Sequence, residues 1–379
     1  MINYRPLGRT GATVSSLGFG CMRFPMKDPS SVDRDKAIPM LHKAYELGVN
    51  YFDTGKWYCA QDSERALGEA LKGMRRDKVF VSTKYALENP TADDLREKFE
   101  TSLRLLDLQY VDFYHLWGIS LDAFRTKIDI PGGPLKAFLK LKEEGLVRHL
   151  AFSFHSDPAD IPPLVDTGIF ESMLCQYNLL DRRNEKGIAY AASKGLGVVI
   201  MGPVGGGRLG TPSEVVSRMM QGNEAIRTPD LALRFVLSNP GVTIALSGMS
   251  TMEQVVENVA TVSRSSWLSD NENVRIRETA EANQKFMDLY CTGCAYCMPC
   301  PNEVNIPKIF EAMNLKKVWG LEEPARKMYG EIGTTPWVKG KRADACVECG
   351  QCEEKCPQKI PIMAQLKESR RALEAAASA

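Results

Sequence analysis

The chain has 379 residues, a formal net charge of +1, and 44% hydrophobic against 25% charged residues, with a mean hydropathy of -0.24. A chain of this size and composition folds as one large globular domain with room for a second, and its near-neutral charge excludes broad attraction to nucleic acid or anionic lipid. The N-terminal MINYRPLGRTG lacks the apolar core of a secretory signal, and no segment approaches the ~20 apolar residues of a membrane span. A cytoplasmic protein with no membrane or nucleic-acid partner is expected.

In chain order, YRPLGRTGATVS reads as a hairpin turning at Thr10-Gly11. Eight short apolar runs then recur over residues 14–249: VSSLGFGC, VNYFDTG, KVFVSTK, YVDFYHL, RHLAFSFH, ESMLCQYN, GVVIMGP and VTIALSGM. Most are nearly continuous in β-branched and aromatic residues, as strands buried on both faces are. Helical patterns lie between them. Ala37 to Leu47 stops at Gly48, a C-cap residue. Thr91 to Leu106 opens on TADD, an N-cap followed by first-turn acids. Asp62 to Leu71, Leu135 to Glu144, Asp230 to Leu237 and Thr251 to Val262 are the others. Eight strands alternating with helices predict an α/β fold, a closed (β/α)8 TIM barrel. The alternative is an open doubly wound sheet, but LGFGCMRF carries no G-x-G-x-x-G.

Chemistry in such barrels sits at the C-terminal strand ends. Polar residues gather there: Asp53, Thr54, Ser82, Thr83, Lys84, His115, Ser153, His155, Gln176 and Asn178. The motifs around them resemble the aldo-keto reductase family over roughly residues 1–265. FDTGKWYCAQDSERALG resembles the signature with a catalytic Asp and Tyr, here Asp53 and Tyr58. VFVSTK resembles the strand ending in the catalytic lysine, here Lys84. QYNLLDR resembles the nicotinamide-side segment, and GMSTMEQVVENVA the segment that holds the adenine nucleotide.

The resemblance implies a small carbonyl or alcohol substrate and an NAD(P) cofactor, with Ser153, Gln176, Gly248, Gln254, Glu257 and Asn258 as cofactor-binding residues. A phenol with pKa ~10 is a poor proton donor at neutral pH. Lys84 beside Tyr58 is expected to lower that pKa, and Asp53 to hold Lys84 charged. Two departures stand out. The family's histidine position holds Trp117, while His115 lies two residues earlier and deeper in the barrel; it is retained as a catalytic candidate. NADP-preferring relatives often carry Lys and Arg where this chain has Gly248 and Gln254, which leans toward NAD, although Arg264 on the same helix can compensate. The glycine-rich MGPVGGGRLG offers backbone N–H groups to a pyrophosphate.

The pattern changes after Trp267. Asn271 to Tyr290 is charged and helical in period, a connector on the barrel, so the expected division is 1–284 and 285–379. Two runs, CTGCAYCMPCP from Cys291 and CVECGQCEEKCP from Cys346, hold eight of the eleven cysteines. Clustered thiols in a reducing compartment point to metal rather than disulfides. The second run has the C-x2-C-x2-C-x3-C-P spacing of bacterial 4Fe–4S ferredoxins; the first is one residue shorter before its last cysteine. Structural zinc usually draws two ligands from each of two knuckles, a poor match. Resemblance to two-cluster ferredoxins assigns Cys291, Cys294 and Cys297 with Cys356 to one cluster, and Cys346, Cys349 and Cys352 with Cys300 to the other. A smaller, mainly helical ferredoxin-like domain with two 4Fe–4S clusters is expected. Cys21, Cys59 and Cys175 lie outside the runs and read as small buried hydrophobes.

The expectation is an aldo-keto reductase-like oxidoreductase whose clusters act as electron relay or structural elements. A nicotinamide moves two electrons as hydride, whereas each cluster moves one. Direct coupling needs a converter such as a flavin, for which no motif is found. A flavin- or cluster-coupled electron-transfer enzyme, with a carrier such as ferredoxin or flavodoxin as partner, is one alternative. A non-catalytic redox-sensing protein on the same barrel is the other. Lys339, Lys341 and Arg342 are candidates to offset cluster charge or to meet an acidic carrier.

Overall fold

The computed structural model describes residues 2–210, 219, 227–263, 267–288, 291, 297–356 and 360–374. They form two compact units, Met1–Gly206 with Asp230–Leu268, and Gly207–Pro229 with Ser269–Ala379. Helix Asp270–Asp288 falls within the second unit.

The hairpin expected at the start of the chain forms. Strands β1 (Tyr4–Pro6) and β2 (Thr13–Ser15) pair antiparallel, and the Thr10 hydroxyl donates to the Leu7 carbonyl at 2.6 Å inside the turn. A second small hairpin, β4 (Met26–Asp28) with β5 (Ser31–Val32), follows β3 (Leu17–Gly20). All eight apolar runs become barrel strands. They are β3, β6 (Tyr51–Asp53), β7 (Phe80–Tyr85), β8 (Val111–Leu116), β9 (Val147–Phe154), β10 (Ser172–Gln176), β11 (Gly197–Met201) and β12 (Ile244–Ser247). They close in sequence order, and each neighbouring pair is parallel.

The expected helices occur at Arg34–Glu46, Ser63–Leu71, Ala92–Leu106, Leu135–Glu143, Thr228–Ser238 and Met252–Val262. Thr91 caps its helix by accepting the Asp94 N–H at 3.2 Å. Gly48 ends the first helix at φ +99°, where an L side chain is strained. Helices Ile161–Asp166 and Glu185–Ser193 are among those that escaped the periodicity. Pro162-Pro163 and Gly187 read as breakers. The structure gives Gly187 a packing reason, since a Cβ there would lie 2.4 Å from Ile161 Cδ1.

Register decides what faces inward. Tyr51, Phe113, Leu174, Val199, Ile244 and Leu246 fill the lower barrel, together with Leu7 and Val14 from the hairpin segment. Side chains alternate along a strand. Asp53 therefore shares the inner face with Tyr51, His115 and Trp117 with Phe113, and Gln176 with Leu174. Lys84 pairs with His115, and His115 with Ala151, so Lys84, Ser153 and His155 keep the same parity.

The second unit is helical. Ile306–Lys317 packs with Glu322–Glu331 and Ile362–Glu374. Buried Phe310, Trp319, Tyr329 and Leu366 contribute to its core. Asn305 caps the first of these helices by accepting the Lys308 N–H, and its amide donates to the Lys339 carbonyl at 2.7 Å. No helix among the described residues is long and apolar enough to cross a membrane.

Candidate active site

Three strand-end groups meet at the C-terminal mouth of the barrel. Lys84 Nζ donates to Asp53 Oδ1 at 2.5 Å and to the Thr54 carbonyl at 2.6 Å. Ser82 Oγ donates to Asp53 Oδ2 at 2.7 Å. Asp53 and Lys84 are buried, so each needs the other to stay charged. Burial opposes the ammonium, but Asp53 and Tyr58 outweigh it, and Lys84 is held above its usual range.

Tyr58 reaches this pair from the loop after β6. The Lys84 ammonium lies 4.9 Å from its ring centroid. After Tyr58 the chain turns through three consecutive left-handed residues, Cys59, Ala60 and Gln61, at φ 50°, 54° and 71°. Such backbone costs roughly 1–2 kcal/mol per residue. Local anchors hold the turn: the Cys59 thiol donates to the Cys21 and Met22 carbonyls at 3.5 and 3.4 Å, and Ser63 Oγ donates to the Cys21 carbonyl at 2.8 Å. Lys84 acts on the Tyr58 pKa in the expected direction, but burial outweighs it. Burial pushes the hydroxyl up, Lys84 pulls it back, Asp53 adds to the rise, and the net direction is upward. At neutral pH the phenol keeps its proton, as a donor must.

Trp117 stands beside Tyr58, edge to face at 5.5 Å between centroids, and packs against Trp57 at 4.9 Å. The six-membered edge of its indole lies over Gly55. His115 sits below, fully buried, with the Phe152 backbone as a polar neighbour and no well-formed hydrogen bond at either ring nitrogen. Burial first, and the Lys84 charge second, lower its pKa to about 3. It is a neutral imidazole sealed from solvent, so it does not supply an acidic proton at neutral pH.

The cofactor candidates spread around the same mouth. Ser153 is buried, and its Oγ accepts the Gly118 N–H at 2.8 Å. Gln176 is half-buried, with its side-chain amide toward Gly202. Gly248 ends its strand segment at partial exposure. Gln254 Oε1 accepts the Ser250 N–H at 2.8 Å. Asn258 is buried and donates to Ser247 Oγ at 3.2 Å, whereas Glu257 is exposed on the same helix. Gly202, Gly205 and Gly206 all take positive φ. Arg264 lies outside the described residues. Sequence reasoning missed Arg23. Its stem lies 3.1–3.3 Å from where a side chain at Gly248 would begin, and Nη2 lies 3.5 Å from the same point on Gly206. The loop after β3 thus brings a cation to the segment that lacks one, a juxtaposition invisible in linear spacing.

In the second unit, Cys297, Cys300, Cys346, Cys349 and Cys352 line one cavity. Val304, Ile306 and Leu366 supply apolar wall. Cys356 is buried and lies outside that lining. Cys291 is half-buried, and its carbonyl accepts from Asn314 Nδ2 at 3.3 Å. Cys294 lies outside the described residues. Among the described residues no three His, Cys, Asp or Glu side chains are set to hold one metal ion. Thiolates are the ligands of 4Fe–4S clusters, each binding a different iron, and five cysteines along one wall supply that donor chemistry. Lys341 pairs with Glu303 at 2.8 Å, and Arg342 donates to the Gly330 carbonyl at 2.7 Å.

The comparisons with known proteins agree with both units. Residues 16–281 match the aldo/keto reductase family, and residues 290–360 match the 4Fe-4S dicluster domain. L-galactose dehydrogenase of Arabidopsis thaliana is 32% identical over 69% of this chain and 88% of its own length. NADH-specific methylglyoxal reductase of Escherichia coli is 26% identical over 74% of this chain and 99% of its own. The holo structure of aldo-keto reductase AKR11C1 from Bacillus halodurans superposes with a TM-score of 0.64 at 29% identity, covering 74% of this chain and 97% of that one. The chain is a member of the aldo/keto reductase family, an oxidoreductase barrel followed by a 4Fe-4S dicluster domain.

Proposed function

We propose that the barrel interconverts a small carbonyl compound and its alcohol with a nicotinamide cofactor, Tyr58 giving its proton to the carbonyl oxygen in reduction. The observation that carries this reading is the buried Lys84–Asp53 pair placed against Tyr58. A bound nicotinamide supplies hydride. The protein's part is to hold a protonated phenol at the mouth, keep an ammonium beside the phenolate left behind, and exclude water beneath it. Asp53 keeps that ammonium charged. Ser153 and Gln176 would hold the nicotinamide side, and Gly248, Gln254, Glu257 and Asn258 the adenine side. NAD is the cofactor we favour, because positions 248 and 254 carry no cation; Arg23 narrows that preference. The two relatives act on L-galactose and methylglyoxal, which supports a small substrate here.

In the second unit we assign Cys346, Cys349, Cys352 and Cys300 to one 4Fe–4S cluster, and Cys291, Cys294, Cys297 and Cys356 to another. The domain would begin near residue 285. Four of the cavity's five thiols belong to the first set, and the exclusion of Cys356 from that lining supports the crossed assignment. A second reading, electron transfer to a carrier such as ferredoxin or flavodoxin, is favoured by exposure: Cys349 and Val347 are open to solvent, so this cluster would lie at the surface.

The test is NADH and NADPH oxidation by anaerobically purified protein with a panel of aldehydes and quinones. Tyr58→Phe should lower kcat by roughly 10²–10⁴-fold. Equal rates for wild type and variant would overturn the acid–base reading.

A further inference from the structure

As hydride reaches a carbonyl carbon, negative charge builds on its oxygen. Tyr58 is one donor to that oxygen in the reading above, on which this inference rests. A second preorganised donor commonly contributes on the order of 10²–10³ in rate. The next inward position along β8 holds Trp117, whose indole is wedged among Gly55, Trp57 and Tyr58. His115 is sealed in the barrel interior. Ser153 is buried, its Oγ held by the Gly118 N–H that it accepts, and the Gln176 amide lies beside Gly202.

Among the described residues, His155 is a polar side chain left on the Trp117 side. His155 follows β9 directly and continues the parity of Ala151 and Ser153 into the mouth. Its Cδ2 lies 3.6 Å from where a side chain at Gly118 would begin, beside the residue that follows Trp117. Surrounding protein crowds His155, yet the residue keeps accessible surface, so a ligand entering the mouth can reach it. It also lies within the field of the Lys84 ammonium, the charge that flanks Tyr58; burial and that charge hold its pKa below the usual histidine value. A neutral imidazole keeps one N–H to donate.

We propose that His155 is a catalytic residue of this barrel, donating a hydrogen bond to the substrate oxygen that Tyr58 protonates. The balance is simple. Hydride adds to the carbon, the Tyr58 proton adds to the oxygen, C=O becomes CH–OH, and His155 retains its own proton throughout. The chain thereby supplies from β9 the imidazole that β8 lacks at its mouth.

His155→Ala, His155→Gln, Trp117→Phe and Tyr58→Phe in the full-length, cluster-loaded protein test the assignment, with kcat and KM for an aldehyde and NADH affinity by fluorescence titration. His155→Ala should lower kcat about 100-fold while NADH affinity stays within about twofold, and the amide donor of His155→Gln should recover about tenfold. Wild-type kcat in His155→Ala overturns the inference. So does an NADH affinity that falls as far as kcat, which makes His155 a cofactor ligand, or a comparable kcat loss confined to Trp117→Phe. Full activity in Tyr58→Phe removes the underlying reading; an inactive Tyr58→Phe beside a fully active His155→Ala removes this inference alone.

Discussion

Lys84 and Asp53 are 31 residues apart in sequence and 2.5 Å apart in space. Cys346, Cys349 and Cys352 are spaced three residues apart and line one cavity. In the barrel, parallel ladders bring distant residues together and the buried charges satisfy each other, so the constellation is complete from protein groups alone. In the C-terminal unit, short spacing brings the thiols close, but their mutual geometry is left for iron to complete. A site built by register is held by the barrel's own hydrogen bonds; a site built by local spacing on loops is expected to gain order from its metal.

The largest effect should come from testing that dependence. Anaerobic removal of iron with a chelator should speed amide exchange at 297–303 and 346–356 by on the order of 100-fold or more, while β6 and β7 exchange as before. Unchanged protection in the cysteine loops would erase the contrast between the two regions.

Next comes Lys84→Met. It leaves the Asp53 carboxylate buried without its cation, and losing one partner of a buried pair costs about 3–5 kcal/mol. Denaturant unfolding should show that loss in the barrel. A loss below about 1 kcal/mol would mean that the pair is not what keeps Asp53 charged in the interior.

The effect smallest at any one pH step, about 1.4 kcal/mol per unit, sharpens the barrel side through pH. His115 has its pKa lowered from 6.5 to about 3. A depressed pKa stabilises the fold above the unfolded value, and that stability is lost as pH falls. Between pH 6.5 and about 3 the unfolded chain binds one proton that the folded chain refuses, a slope of about 1.4 kcal/mol per pH unit. His115→Leu should remove that one-proton slope from the stability profile. An unchanged slope would mean that water or another partner reaches the ring.

Much of the barrel was legible because a buried parallel strand leaves a plain mark, a short run of Val, Ile, Phe and Tyr. The Pro162-Pro163 and Gly187 helices were not, because their local residues argue against a helix that packing nevertheless allows. At the mouth, Asp53 and Lys84 could be picked out as polar residues ending apolar runs. Tyr58 depended on a motif, since nothing in WYCAQ announces three left-handed residues in a row. Its raised pKa was misjudged from sequence because the Lys84 charge was visible there and the depth of burial was not.

By itself the sequence determined the strand and helix alternation, the eight clustered thiols and the polar strand ends, because these follow from composition and spacing along the chain. Tertiary structure alone decided that Arg23 lies over Gly248, that His155 faces the mouth beside Gly118, and that His115 is sealed away. Each of those depends on register and loop path across residues far apart in sequence, and a linear pattern carries no record of which distant side chain will occupy a given space.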